Sequence, residues 1–391
     1  IKDILQPLVD EARDTVNNCL FSHVEKDALS ERYSAASNAI STNADGETLF
    51  NLYVGFRELI DSAKVAIASY NTMFDYAQQL SAVIDEAQGT ASDDALNNAS
   101  LVYDEVATGY EEEAFTTQEA DSMVTVIKAA ITKLRIPDVV ASDDAPADYT
   151  SVIVNPNYDN DDNEGWSGSS AAHQTYTNAE FYNTNFDMYQ VIYGLPNGTY
   201  KVNVSGFYRA GDATPAYEKY TEDVAKDTIN AFVYAESNGV VSSVPFTTIF
   251  AGCNEASLNN GSGEVKLTDG MYIPNSMETA AIYFENGYYL TNSVTCKVTD
   301  GTLKIGVKKQ SKFTNDWTIF DTWSLTYYGD ASAQTPDGDA SGIETPEAAE
   351  VVSTTYYTLG GVTSSVPVKG INIVKSVMSD GTVKVSKILV K

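Results

Sequence analysis

The chain has 391 residues, with 54 Asp and Glu against 24 Lys and Arg, a formal charge of −30 at pH 7, and two histidines. That balance argues against nucleic acid as a partner, since phosphate binding needs clustered Lys and Arg, and it gives little material for His-based catalysis or His-rich metal sites. Charged residues make up only 20% of the chain and hydrophobic ones 43%, which describes a folded acidic protein with enough length for two or three domains.

Residues 1–136 carry helical periodicity. The clearest run is Leu49, Leu52, Phe56, Leu59, Ala63, Ala66, Tyr70, Met73, Ala77, Leu80, Ile84 and Ala87. Steps of three and four held over about 40 residues predict one helix roughly 60 Å long. Shorter amphipathic segments flank it at Ile4–Leu20, Leu29–Ile40, Ala95–Tyr110 and Ala120–Leu134. They are expected to pack along the long seam as an elongated bundle, a spacer more than a site. Cys19 falls on the apolar face of the first segment and reads as a buried free thiol.

The Pro- and Asp-containing stretch 137–148 reads as a linker. Period-2 segments then take over across 149–329: "SVIVNP", "FDMYQVIYGL", "GTYKVNVSGFYRA", "INAFVYAE", "VPFTTIF", "AAIYFEN", "YYLTNSVTCKV", "GTLKIGVKK" and "WTIFDTWSLTYYG". Short strands with turn signals and no helical crossover predict an antiparallel β-sandwich of jelly-roll type. The polar insert at 211–228 reads as a long loop. A second linker, 330–342, leads to a small β module at 343–391, with turns expected at Gly360-Gly361, Lys369-Gly370 and Asp380-Gly381. The fold class is thus multidomain, α followed by all-β.

No apolar run approaches the length of a membrane span. The chain starts at Ile1 without an initiator Met, so the lack of an export signal says nothing against export. Three cysteines make no disulfide framework, and Cys253 and Cys296 would pair only in an exported protein.

The last strand of the middle region raises the sharpest question. Strict alternation puts Ile319, Asp321, Trp323, Leu325 and Tyr327 on one face. A carboxylate on a core face needs hydrogen-bond donors or a cation. Trp317 stands at the start of this strand, in or near a loop. Tyr208 and Arg209 end the strand "VNVSGFYRA", beside the long insert. With Asp316 they would make a stacking platform and polar rim for a sugar, whose C–H faces lie flat on aromatic rings. Trp166 is either a further ring of that site or a core plug, and the same alternative stands for Trp317.

The segments "NPNYDNDDNEGW", "AEFYNTNFDMYQVIYGLPNGTYKVNVSGFYRAG" and "VTDGTLKIGVKKQSKFTNDWTIFDTWSLTYYG" resemble the galactose-binding-like β-sandwiches that include many carbohydrate-binding modules. The end of the chain, "YYTLGG…KGINIV…KVSKILVK", is similar to C-terminal sorting-type domains of exported Bacteroidetes proteins, with Gly361 and Asn372 departing from the pattern. The resemblance implies an extracellular or cell-surface protein. It also implies a structural Ca²⁺ between the early loop and the last strand, for which Asn155, Asn157, Asp159 and Asp321 supply hard oxygen donors. Without a metal, Asp321 would accept from backbone N–H groups or a tyrosine hydroxyl.

No G-x-S-x-G, H-E-x-x-H or Walker A motif occurs in the sequence. The expected function is non-catalytic capture of a glycan or polysaccharide through loops of the sandwich. The alternative is adhesion, protein interaction or a structural surface role.

Overall fold

The computed structural model describes residues 1–224, 228–311, 313–330, 351–358, 363–368, 370–378 and 383–390. The chain forms two compact units, Ile1–Gln334 and Thr335–Lys391. Helices come first and antiparallel sheets follow, so the molecule is a multidomain α plus β protein.

The first unit opens with helices α1 (Lys2–Asn18), α2 (His23–Ser41), α3 (Gly46–Tyr53), α4 (Phe56–Glu86), α5 (Asp93–Glu111) and α6 (Thr117–Arg135). Their ends follow local chemistry. Ser92 Oγ accepts from Ala95 N at the start of α5, and Thr116 with Glu119 closes a capping box on α6. Helix α4 is the spine, burying Phe56, Ile60, Ala63, Ala66, Tyr70, Met73, Ala77, Leu80 and Val83 against its neighbours.

The seam expected to run unbroken from Leu49 to Ala87 is interrupted. Gly55 adopts φ 73° and separates α3 from α4, a left-handed backbone that glycine takes without a Cβ clash. Within α4 the buried stripe departs from the expected one at two positions, with Ile60 and Val83 buried where Leu59 and Ile84 are only part-buried. Cys19, expected on the buried face of the first helix, is its half-buried C-terminal cap. All three cysteines are free. Cys253 and Cys296 do not pair because they belong to different apolar clusters, described below.

The remainder of this unit runs β1 (Ala147–Asp148), β2 (Ser167–Gly168), β3 (Ala179–Tyr182), β4 (Phe186–Tyr193), β5 (Gly198–Ala210), α7 (Ala213–Glu222), β6 (Phe232–Ser237), β7 (Val240–Pro245), β8 (Glu264–Lys266), β9 (Tyr272–Pro274), α8 (Met277–Glu285), β10 (Asn292–Val298), β11 (Thr302–Lys309) and β12 (Asp316–Tyr327). The front sheet is ordered β1-β12-β5-β10, with β3 also paired to β12, and the back sheet β2-β4-β11-β6-β7. Their facing sides share one core. Val202, Val204, Phe320, Trp323 and Leu325 meet Met188, Ile192, Val233, Ile305 and Val307 there, and Cys296 is part of it.

Three expected strands differ. "SVIVNP" contains a 3₁₀ turn at Thr150–Val152, "VPFTTIF" runs into another at Ile249–Gly252, and "AAIYFEN" lies in α8. Ser276 caps α8 by accepting from Thr279 N; the buried Met277, Ala280, Tyr283 and Phe284 do keep helical spacing, but the unbroken apolar run from Ala280 to Phe284 hides it. The polar insert read as a loop holds the ten-residue α7. Together α7, α8 and the β8–β9 hairpin form a third layer. It packs on the outer side of the front sheet, where Ala216, Tyr217, Ile273, Met277 and Tyr283 meet Phe207, Trp317 and Ile319, with Cys253 at its margin.

Strand β12 does not keep strict alternation. Its register with β5 slips between Asp321 and Trp323, with Thr322 at φ 52°. An inserted residue exchanges the two faces of a strand. Before the bulge Trp317 and Ile319 point outward, and after it Trp323, Leu325 and Tyr327 point into the sandwich. Asp321 therefore stays on the side of Ile319 and does not share a face with Trp323, as unbroken alternation required.

The segment 137–148, read as a linker, ends in β1, where Ala147 pairs with Tyr327. Helix α6 touches the sandwich directly. Arg135 O accepts from Ser151 Oγ at 2.8 Å, and a Cβ at Gly194, in the β4–β5 turn, would lie 2.7 Å from the Ala129 carbonyl oxygen.

The second unit contains β13 (Val351–Thr358), β14 (Thr363–Ser364), β15 (Gly370–Met378) and β16 (Val383–Val390), an antiparallel sheet ordered β14-β13-β15-β16. Gly370 opens β15 and Asn372 lies within it. Lys369, the turns at Gly360-Gly361 and Asp380-Gly381, and the linker beyond Asp330 lie outside the described residues.

Candidate binding cleft

Strands β3, β12 and β5 lie side by side, with Tyr182 opposite Trp317 and Trp317 opposite Arg209. Directly opposed residues share a face, so these three side chains form a row on the outer side of the front sheet. The next row along is Glu180, Ile319 and Phe207. Tyr182, Trp317, Arg209 and Glu180 line a cleft of about 550 Å³, walled by Val265, Asn275 and Ser276 of the third layer and by Asp212 to Pro215 at the start of α7.

Arg209 is held from two sides. Its Nε donates to Gly211 O at 2.7 Å, one terminal nitrogen donates to Asn275 Oδ1, and the guanidinium lies 5.2 Å from the Trp317 ring centre. Burial pulls its pKa down, while Tyr182, Asp212 and Glu180 nearby oppose the shift; a guanidinium keeps its charge. Burial raises the Glu180 carboxyl, against the pull of the Trp317 indole N–H and of Arg209. Trp317 Nε1 nonetheless makes no hydrogen bond of normal geometry among the described residues. At the rim, the Tyr182 hydroxyl donates to Asn315 Oδ1 at 3.0 Å, and Asn315 Nδ2 donates to both Asp212 carboxylate oxygens at 3.0 and 3.1 Å. The Tyr182 ring is 49% exposed. The cleft thus offers one open aromatic ring, one cation, two carboxylates and an amide over a covered indole, a set suited to a ligand rich in hydroxyls.

The residues expected to act together are divided between two faces. Trp317 and Arg209 adjoin, but Trp317 is not an exposed loop ring. It is 3% exposed within β12 and stands edge-on to Phe207 at 5.0 Å, because the unforeseen third layer covers it. Tyr208 and Asp316, expected at the same platform, point into the sandwich as alternation requires. There the Tyr208 hydroxyl donates to Asp316 Oδ2 at 3.3 Å. Trp166 is a core plug: its ring lies 4.8 Å from Trp323, and its Nε1 donates to Asn155 O at 3.2 Å. Tyr182, Glu180 and Asn275 were not singled out in the sequence. The alternation of "AEFY" marked a strand, but only the register with β12 shows where its outer residues go.

The early loop does meet the last strand at the bulge. Pro156 O accepts from Trp323 N at 2.9 Å, and the Tyr158 hydroxyl accepts from Trp323 Nε1 at 2.9 Å. Asp321, 9% exposed, accepts from Thr322 N at 2.6 Å. Burial pushes its pKa up to about 7, the Thr322 hydrogen bonds oppose this, and the nearby Asp159 carboxylate adds to the rise. Asn155 spends its amide on Asp162. Asp321 and Asp159 are therefore the two charged oxygens of the expected calcium set that come near each other. Among the described residues no group of three or more His, Cys, Asp or Glu gathers as metal ligands.

No protein-family model and no curated protein matches the chain. Among the solved structures that match, two illustrate how faint the likeness is. One is the carbohydrate-binding module TmCBM61 in complex with β-1,4-galactotriose, at 17% identity, over 44% of this chain and 95% of that one, with a TM-score of 0.25. The other is BtGH115A, a family GH115 4-O-methyl-α-glucuronidase with specificity for decorated arabinogalactans, at 9% identity, over 79% of this chain and 34% of that one, with a TM-score of 0.20. At such scores neither likeness decides the ligand of this chain, which spans about a third of the length of the second.

Proposed function

We propose that the chain is a non-catalytic carbohydrate-binding protein of the extracellular space or cell surface, and that its sugar lies in the cleft over Tyr182, Trp317 and Arg209. One observation carries the reading: a half-exposed tyrosine ring stands in the same cross-strand row as a guanidinium and an indole, at the floor of a cleft that two carboxylates also line. Tyr182 would stack against a pyranose C–H face, Arg209 would donate to ring hydroxyls, and Glu180 and Asp212 would accept from them, with the covered Trp317 ring as the floor beneath. A glycan array followed by titration calorimetry tests it. Tyr182→Ala should weaken the best glycan about tenfold, roughly 1.4 kcal/mol, with the fold intact. No saturable binding to any glycan would remove the reading.

A calcium ion at the bulge belongs to the same proposal, with Asp321 and Asp159 as its carboxylate ligands. Calcium should then raise the melting temperature of the wild type above about pH 7 and leave Asp321→Asn unmoved. A second reading, protein interaction, is favoured by Phe50, Tyr53 and Val54, three exposed apolar side chains at the α3–α4 break. Unchanged glycan binding in a Phe50→Ser/Val54→Ser variant would assign the sugar to the cleft and leave this patch to a protein contact.

A further inference from the structure

Behind the cleft, on the inner side of the same strands, Lys309 ends β11 and Asp316 begins β12. Both side chains are 0% exposed, and Lys309 Nζ lies 2.5 Å from Asp316 Oδ2. The aromatic walls are close, with Nζ 5.7 Å from the Phe186 ring centre and 5.9 Å from that of Tyr208. Oδ2 also receives Phe313 N at 3.0 Å and the Tyr208 hydroxyl at 3.3 Å. Neither Lys309 Nζ nor Asp316 Oδ1 completes a hydrogen bond of normal geometry among the described residues. An ammonium and a carboxylate sealed from water lose more solvation than an ordinary pair recovers.

We propose that Lys309 and Asp316 condense into an intramolecular amide, a covalent rung between β11 and β12. Contact at this distance supplies the proximity that the reaction in water lacks. Proton transfer from the ammonium to Asp316 Oδ1 frees the amine lone pair. Burial lowers the Lys309 pKa and so assists the transfer. The amine lone pair attacks Asp316 Cγ. Negative charge gathers on Oδ2, where the Phe313 N–H and the Tyr208 O–H already point, an arrangement suited to an oxyanion. Oδ1, which has no hydrogen bond to break, collects two of the three ammonium protons and leaves as water. One C–N bond forms, one C–O bond breaks, the third proton stays on the amide nitrogen, and nothing is oxidised or reduced. The product carries no charge, so the burial cost of both ions disappears.

Intact-mass measurement of the purified, folded full chain decides the matter without any ligand. The expected result is a mass short of the sequence by one water. Proteolysis should yield a branched peptide joining Lys309 to the fragment that bears Asp316, and Lys309→Arg should restore the full mass. Dimethylation of the denatured wild type gives a reading that does not depend on a variant folding, since every free lysine is labelled and an amide-bound Lys309 is not. A wild type at full mass, a labelled Lys309, or a missing water that maps to another site would each overturn the proposal. None of these outcomes touches the sugar reading of the cleft.

Discussion

The two sides of one strand pair make an instructive contrast. Where β5 and β12 run together, Tyr208 and Asp316 go inward while Arg209 and Trp317, their immediate neighbours in sequence, go outward. Inside, the carboxylate meets a lysine with no water to soften the encounter. Outside, the guanidinium faces an indole, an amide and a cleft. The same residue types, aromatic beside charged, give a sealed lysine–aspartate contact on one side and a ligand-facing floor on the other. What separates them is alternation plus the layer that each face meets.

The contrast can be broken most forcefully from within. Lys309→Ala leaves the Asp316 carboxylate buried with nothing to neutralise it, whether an ion pair or the amide joins the two in the wild type, and should cost about 3 kcal/mol or more in urea unfolding. A change below about 1 kcal/mol would mean that water reaches Asp316. The next largest effect belongs to Asp321, at the bulge where the faces exchange. Its folded pKa, about 7, lies above the ordinary value of 3.8. The fold therefore favours the protonated acid, and the associated stability, whole below about pH 4, is lost as pH rises through about 7. With calcium chelated, Asp321→Asn should match the wild type near pH 4 and exceed it by roughly 2–4 kcal/mol at about pH 8. Equal stability at both pH values would show that the carboxylate is better solvated than its burial implies.

Smaller effects sharpen the outer side. Tyr182→Ala should change stability by less than about 0.5 kcal/mol while weakening the glycan as given above. A loss of stability and binding together would make the ring structural. Thr322 carries a branched side chain at positive φ, so Thr322→Gly should stabilise by about 1 kcal/mol in thermal unfolding, unless the bulge relaxes and the register with β5 shifts.

Much of the architecture was legible in local pattern. The apolar spacing of α4 and the alternation of β10 and of the first half of β5 announced themselves because each buries one face more deeply than the other. Gly55 could have been read as a break, but the apolar run on either side concealed it. Helix α8 could not be read, since five consecutive apolar residues, Ala280 to Phe284, mask its spacing. The site was half legible. Trp317 and Arg209 were chosen for their chemistry and do adjoin, whereas Tyr208 and Asp316 belong to the opposite face of the same strands. Tyr182 and Glu180 enter through the pairing of β3 with β12, a contact between residues more than a hundred positions apart. The third layer, which hides Trp317, was spread over segments read as loop and strand.

The glycine of the β4–β5 turn has a mechanical consequence. Gly194 leaves no space for even a methyl group between itself and the backbone of Ala129, so α6 rests on the turn main chain against main chain. A load applied to the helices passes into the root of β5 and so along the strand that carries Arg209. A bulkier residue at 194 would act as a wedge, prising the helix from its seat and uncoupling the two.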